Sequence, residues 1–225
     1  NFITQLRMVI KEGEPWLLWP DMISFGINRG DIYKTFEGET DFTISMRVKI
    51  ISKEPHKRTL FAKLPNYMGI DVEGDKNRLL FIGNYIKDNV VTPEYEMIDG
   101  YLNWDYNFIT INYSKEFNSI KILINDINVF EHNLGNKQLT TGHEPHIVFG
   151  AGNFPRNGFN LNYCSYDLDY LIIAKKCISL SDIKGLYNGE IQSVDGVVGL
   201  YDFTKKTDYK IYDLTGNCNF LHKII

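Results

Sequence analysis

Phe42, Ile44, Met46, Val48 and Ile50 alternate with Thr43, Ser45, Arg47 and Lys49, and a period of two marks a strand that buries one face and wets the other. The same signal predicts strands over 78–83, 107–113, 119–124, 128–131, 146–150, 166–174 and 197–203, separated by Gly, Asn, Pro and Asp. Short strands at that spacing predict an antiparallel sandwich rather than βαβ units. Composition agrees with this. Alanine stands only at positions 62, 151 and 174, so strong helix formers have given way to residues that suit a pleated surface. Asn125 and Asp126 both tolerate the left-handed conformation of a tight turn, which predicts a hairpin over 119–131. One short helix is expected at 181–188. Ser181 is its expected cap, Asp182 suits its positive end, Gly189 its stop, and Ile183, Leu186 and Tyr187 share a face.

A chain of 225 residues without a Pro/Gly/Ser-rich linker, repeat or low-complexity tract reads as one domain spanning 1–225. It opens at Asn1 without a charged-then-apolar leader, as a piece of a larger protein is expected to. A formal charge of -4 and a pI near 5.8 exclude the broad basic footprint of a nucleic-acid binder. No apolar run reaches the roughly 18 to 20 residues of a membrane span, so membrane insertion is not expected. Cys164, Cys177 and Cys218 form neither a disulfide framework nor a C-x-x-C metal pair and read as buried structural thiols. A Cys164–Cys177 disulfide would mark a secreted protein, and three free thiols an intracellular one. Trp16, Trp19 and Trp104 are large enough to be expected in the core.

Residues 103–113 (NWDYNFITINY) followed by 119–126 (SIKILIND) resemble the central hairpin of laminin-G-like and concanavalin A-like jelly rolls. Residues 41–48, 146–151, 166–174 and 180–187 resemble further segments of that family in the same order. Asp126 stands where the family prefers Gly, and 198–203 with 212–217 look like a segment that usually opens such a domain. Here they close it, so the last strand is expected beside the first. The resemblance implies an all-β, antiparallel jelly-roll β-sandwich (concanavalin A-like) with one short helix. It also implies a non-catalytic recognition module for a glycan or glycoprotein, attached to a catalytic domain, in an extracellular or cell-surface setting. An intracellular accessory domain, a protein-interaction or adhesion module, and a glycoside hydrolase stay open as alternatives.

Sugar recognition needs aromatic faces beside amide, hydroxyl or guanidinium donors. The loops at 63–69 and 153–159 supply both, which makes Asn66, Tyr67, Asn153, Arg156 and Asn157 candidate ligand-binding residues, with Tyr85 a third region beside Asn84 and Tyr95. Glu94 and Glu96 resemble loosely the E-x-D-x-x-E strand of glycosidases of this fold, with the later carboxylates exchanged and Thr92-Pro93 marking a loop or strand edge. Asp167-x-Asp169 lacks the phosphate-binding glycine loop that a nucleotide-sugar site needs. The five histidines show no metal spacing beyond a weak His143-x-x-His146, and no Ser/His/Asp order is present. Asp169, Asp213 and Asn217 are candidates for one structural calcium ion, which takes hard oxygen ligands; turn and capping roles compete for Asp213 and Asn217. Asn112-Tyr113-Ser114 is a glycosylation sequon that falls in an expected strand and reads as incidental.

Overall fold

The computed structural model describes residues 8–10, 16–20, 35–36, 38–51, 58–63, 68–140, 147–150, 164–201, 210–211, 213–215 and 219–223. In chain order the strands are β1 (Met8–Ile10), β2 (Trp16–Pro20), β3 (Phe42–Ile50), β4 (Arg58–Lys63), β5 (Met68–Glu73), β6 (Arg78–Lys87), β7 (Val90–Asp99) and β8 (Asn107–Ser114). They continue as β9 (Ser119–Ile124), β10 (Ile127–Asn133), β11 (Gln138–Leu139), β12 (Ile147–Phe149), β13 (Tyr166–Ala174), β14 (Val197–Leu200), β15 (Lys210–Ile211) and β16 (Asn219–Lys223). Among the described residues one α-helix, α1 (Leu180–Asn188), lies between β13 and β14.

Two antiparallel sheets result. The first runs β1-β13-β3-β8-β9-β10, with β14 beside β1 on the same edge of β13. The second runs β7-β6-β5-β4-β12-β2-β16-β15, with β11 continuing along β6 beyond β5. β16 pairs with β2, so the end of the chain joins its beginning inside one sheet, close to the arrangement expected from the sequence. Ile44, Met46 and Val48 of the first sheet and Phe61, Ile70 and Phe81 of the second belong to one buried cluster, which makes the molecule a jelly-roll sandwich. At its centre Phe36 and Phe42 meet edge to face at 5.0 Å, and Phe61 packs against Phe36 at 5.8 Å and Phe149 at 5.6 Å.

β3, β9 and β13 occupy the stretches the alternation predicts. The β9–β10 turn does hold Asn125 in the left-handed region (φ 56), but Asp126 is not left-handed there. The β6–β7 hairpin turns on Asp88 and Asn89, both left-handed at φ 51 and 62, which supplies the twist that a two-residue connection needs. β4 escapes a period-two reading because Leu60, Phe61 and Ala62 run together and are all buried, whereas β5 does alternate, with Met68, Ile70 and Val72 in the core, across the end of the expected loop at 63–69. Thr59 and Asp71 sit on their outer face, joined by a 2.8 Å hydrogen bond.

The helix begins one step earlier than expected. Ser179, not Ser181, is its cap: the Ser179 hydroxyl accepts from the Asp182 backbone N–H, three residues on, while Ser181 bonds only Ser179. Gly189 closes it at φ 73. The helix and its lead-in cover the outer face of β3 and β13, so Thr43, Ser45 and Arg47 are not the wet face that alternation implies. Thr43 is fully buried, donating to the Lys176 carbonyl and accepting from the Ile178 N–H, and Ser45 bonds Thr110 across the sheet at 2.7 Å.

Burial pushes the phenols of Tyr113, Tyr166, Tyr170 and Tyr201 above their ordinary value; Asp41 adds to this at Tyr113, Cys164 at Tyr166 and Asp213 at Tyr201. The unfolded chain therefore releases these protons first. Stability should be fully present below about pH 10 and fall as pH rises past it, because there the native state binds more protons than the unfolded one. In an alkaline titration, phenolate absorbance from these tyrosines should appear together with loss of the β circular dichroism signal. Smooth ionisation of all tyrosines near pH 10 with the fold intact would contradict this.

Candidate functional site

α1 covers the outer face of β13 and β3 and the start of β8, where Phe108 meets Tyr187 edge to face at 5.5 Å, so the outer face stays open over the far end of β8 and its neighbours β9 and β10. Ile111, Tyr113, Ile120 and Ile122 point into the core, so their neighbours Asn112, Ser114, Ser119 and Lys121 point outward. Register sets Thr43, Asn112, Lys121 and Glu131 in one row across the strands, and Ser114, Ser119 and Asn133 in the next. Asp41, ahead of β3, and Cys177, after β13, close one side; Glu116 and Phe117 on the β8–β9 turn close another. The resulting groove encloses about 670 Å³, within the range of about 300–1,000 Å³ usual for small-ligand sites.

Local chemistry fixes this turn. Asn118 adopts the left-handed conformation at φ 44, its amide donates to the carbonyls of Gly135 (3.0 Å) and Lys137 (2.8 Å), and its oxygen accepts from the Tyr113 hydroxyl (3.1 Å). The neighbouring Phe117 is thereby held out with 68% of its surface exposed. The one Thr43 hydroxyl hydrogen is shared between the Asn112 side-chain oxygen at 2.6 Å and the Lys176 carbonyl at 2.7 Å, and the Asn112 NH₂ is left for the groove. Among the described residues, the Asn112 and Asn133 NH₂ groups and the Ser119 hydroxyl donate to no protein atom. Lys121 lies 3.4 Å from Glu131. The Cys177 thiol is raised by burial and by Asp41, with Lys121 opposing, which keeps it uncharged. An apolar ring beside a two-row array of amides, hydroxyls and charged groups is suited to a ligand with one apolar face and many hydroxyls.

Sequence reasoning placed the site elsewhere. Asn66, Tyr67, Asn153, Arg156, Asn157, Asn217 and Cys218 lie outside the described residues. Tyr85 offers no open ring: it is 4% exposed on the inner face of β6, packed so closely over Gly83 that a Cβ there would meet its hydroxyl at 2.6 Å. The signal for the groove lay in the outward residues of β8 and β9, which alternation identifies as solvated but not as converging.

Glu94 and Glu96 share the inner face of β7, an edge strand that faces β10 across the open side of the sandwich. Their hollow, lined also by Phe81, Tyr85, Phe130 and His132, encloses about 70 Å³, far below the few hundred Å³ of a typical ligand pocket. Glu94 is bonded to Lys137 and lies 3.9 Å from His132. Carboxylates turned inward on an edge strand deter edge-to-edge pairing, a structural use that accounts for both.

Asp169 is paired with Arg47 and accepts from the Tyr187 hydroxyl at 2.9 Å. Asp213 accepts from the backbone N–H groups of Leu200 (3.1 Å) and Thr215 (2.9 Å) and from the Thr215 hydroxyl. These bonds give both carboxylates structural partners, and among the described residues no group of three or more His, Cys, Asp and Glu side chains is arranged to hold a metal. Trp104 is 54% exposed rather than a core residue, because it lies in the irregular link between β7 and β8. Cys164 is buried as expected, whereas Cys177 is exposed. They flank opposite ends of β13, roughly 30 Å of extended chain apart, so no disulfide can join them.

No protein-family model and no curated protein matches the sequence. Solved structures do match in three dimensions. A candidate carbohydrate-binding protein of Bacteroides ovatus superposes with a TM-score of 0.64 at 11% identity, over 93% of this chain and 55% of its own. The CBM40 module of the Ruminococcus gnavus IT-sialidase gives 0.53 at 10% identity over 68% and 86%, and a further structure of that module holds α2,3-sialyllactose. The binding domain of Botulinum neurotoxin serotype D gives 0.53 at 17% identity over 91% and 47%. The chain thus spans about half the length of the Bacteroides protein and of the neurotoxin binding domain. What identities this low establish in common is the fold alone, a jelly-roll β-sandwich.

Proposed function

We propose that this chain is a non-catalytic glycan-recognition module of the laminin-G-like kind that binds through the groove on the outer face of β8, β9 and β10. The observation that carries this reading is the open Phe117 ring beside the available amides of Asn112 and Asn133 and the Ser119 hydroxyl, in a groove of about 670 Å³. The sialyllactose-bound CBM40 module and the candidate carbohydrate-binding protein of Bacteroides ovatus support it by shared fold. An extracellular or cell-surface setting and attachment to a catalytic domain belong to the same reading.

The test is a glycan array followed by calorimetry on the strongest neutral hit. Phe117→Ala should weaken binding about tenfold, the worth of one aromatic contact of about 1.4 kcal/mol. Asn112→Ala should weaken it by a similar factor, whereas the exposed Val90→Ala on β7 should not. Binding indifferent to both groove variants would overturn the assignment, and so would an array silent throughout. Hydrolysis of a bound glycan, abolished by Glu94→Gln, would favour the enzyme alternative instead.

A further inference from the structure

The charges around the groove carry the reading one step further, to the class of sugar. Asp41, Glu116 and Glu131 line it against one ammonium, that of Lys121. That ammonium already has a carboxylate at 3.4 Å. Lys115, the nearest other cation in sequence, turns its ammonium to the Glu39 carbonyl at 2.6 Å and does not line the groove. Asp41 takes the Lys115 backbone N–H at 2.7 Å, a bond that orients one oxygen and leaves the charge in place. Cys177 adds no charge, since burial holds its thiol protonated. Three carboxylates and one ammonium leave a lining with a net charge of -2, and no guanidinium is among the lining residues. The forked donor that most often grips a carboxylate is thus missing from the groove.

We infer that the groove selects uncharged sugars and rejects glycans whose bound residue is a carboxylated sugar. This rests on the groove being the glycan site. A neutral pyranose takes hydrogen bonds from Asn112, Ser119 and Asn133 and gives them to Glu131 and Asp41, so the carboxylates act as acceptors for hydroxyls. A sialic acid or uronic acid carboxylate placed in the same position meets like charge on two sides, and specificity of this kind is repulsion built into the site.

The probes are matched pairs: a neutral oligosaccharide that the protein binds, and the same oligosaccharide capped with sialic acid or glucuronic acid. At low salt the capped member should bind about tenfold more weakly, a moderate penalty for charges several ångströms apart at a wet surface. The gap should narrow as ionic strength rises from about 0.01 to about 1 M and the screening length falls from about 30 to about 3 Å. Glu116→Gln with Glu131→Gln leaves one carboxylate against one ammonium and should cut the gap to about threefold or less, on the same Coulombic reasoning. Equal binding of both members, lost in Phe117→Ala, would overturn the selectivity and keep the groove. A gap unmoved by salt or by the double variant would overturn its electrostatic origin. Binding of every probe unaffected by Phe117→Ala, or binding of none, would overturn the groove reading and the selectivity with it.

Discussion

Arg47→Ala should destabilise the fold by about 3 kcal/mol, the usual loss when one partner of a largely buried ion pair is removed. Asp169, its partner, keeps only 5% of its side-chain surface in contact with solvent and would be left charged beneath α1. The guanidinium also lies 4.2 Å above the Tyr106 ring and 5.0 Å from that of Tyr187, so the truncation removes stacking as well as charge. Urea unfolding at neutral pH measures this directly. Arg47→Met with Asp169→Asn separates the causes: it fills the space, keeps an acceptor for the Tyr187 hydroxyl and leaves no charge behind. This double variant should recover at least half of the loss. A single variant within about 0.5 kcal/mol of the parent protein, the range of an ordinary surface change, would show that α1 is held by other contacts.

Phe42→Ala should cost about 4 kcal/mol, the upper part of the range for a large core side chain. Phe42 is fully buried and touches rings from several directions: Phe36 edge to face at 5.0 Å and Tyr113 stacked at 5.5 Å. Those two neighbours come from different chain segments, so no single strand can shift to fill the void. Phe117→Ala provides the contrast, since that ring is largely in water and its loss should change stability by no more than about 0.5 kcal/mol. Equal effects of the two substitutions on the urea midpoint would mean that the aromatic centre packs differently from this description.

Strands that carry polar residues at alternate positions were legible from residue order alone, whether that face is wet, as in β9, or lies beneath α1, as in β3 and β13, and all three match their expected bounds. β4 was not legible, because its buried Leu60-Phe61-Ala62 run has no alternation, and β5 was obscured by the loop read over 63–69 although Met68, Ile70 and Val72 alternate with Gly69, Asp71 and Glu73 along it. β7 was hidden differently: Val90, Val91, Tyr95 and Met97 are exposed, and Pro93 breaks the pattern, as suits an edge strand. For the site, residue type was a poor guide because register decides it. Asn112, Lys121 and Glu131 are nine and ten residues apart in sequence and adjacent only across strands. Arg47 was misread for the converse reason. A residue on the solvent side of a strand is solvated only where nothing else folds over it, and a helix some 135 residues later does so here.

Strict alternation along β8 and β9 also gives the fold a capacity to diversify. Ser114, Ser119, Lys121, Glu131 and Asn133 contribute to the groove but not to the buried cluster, while the intervening Ile and Tyr residues do the reverse. Under the proposed function, ligand preference and folding therefore sit on separate sets of codons. A library randomised at the outward positions alone should yield folded proteins at high frequency, and lineages that inherit this scaffold can change what they recognise without first acquiring a more stable core.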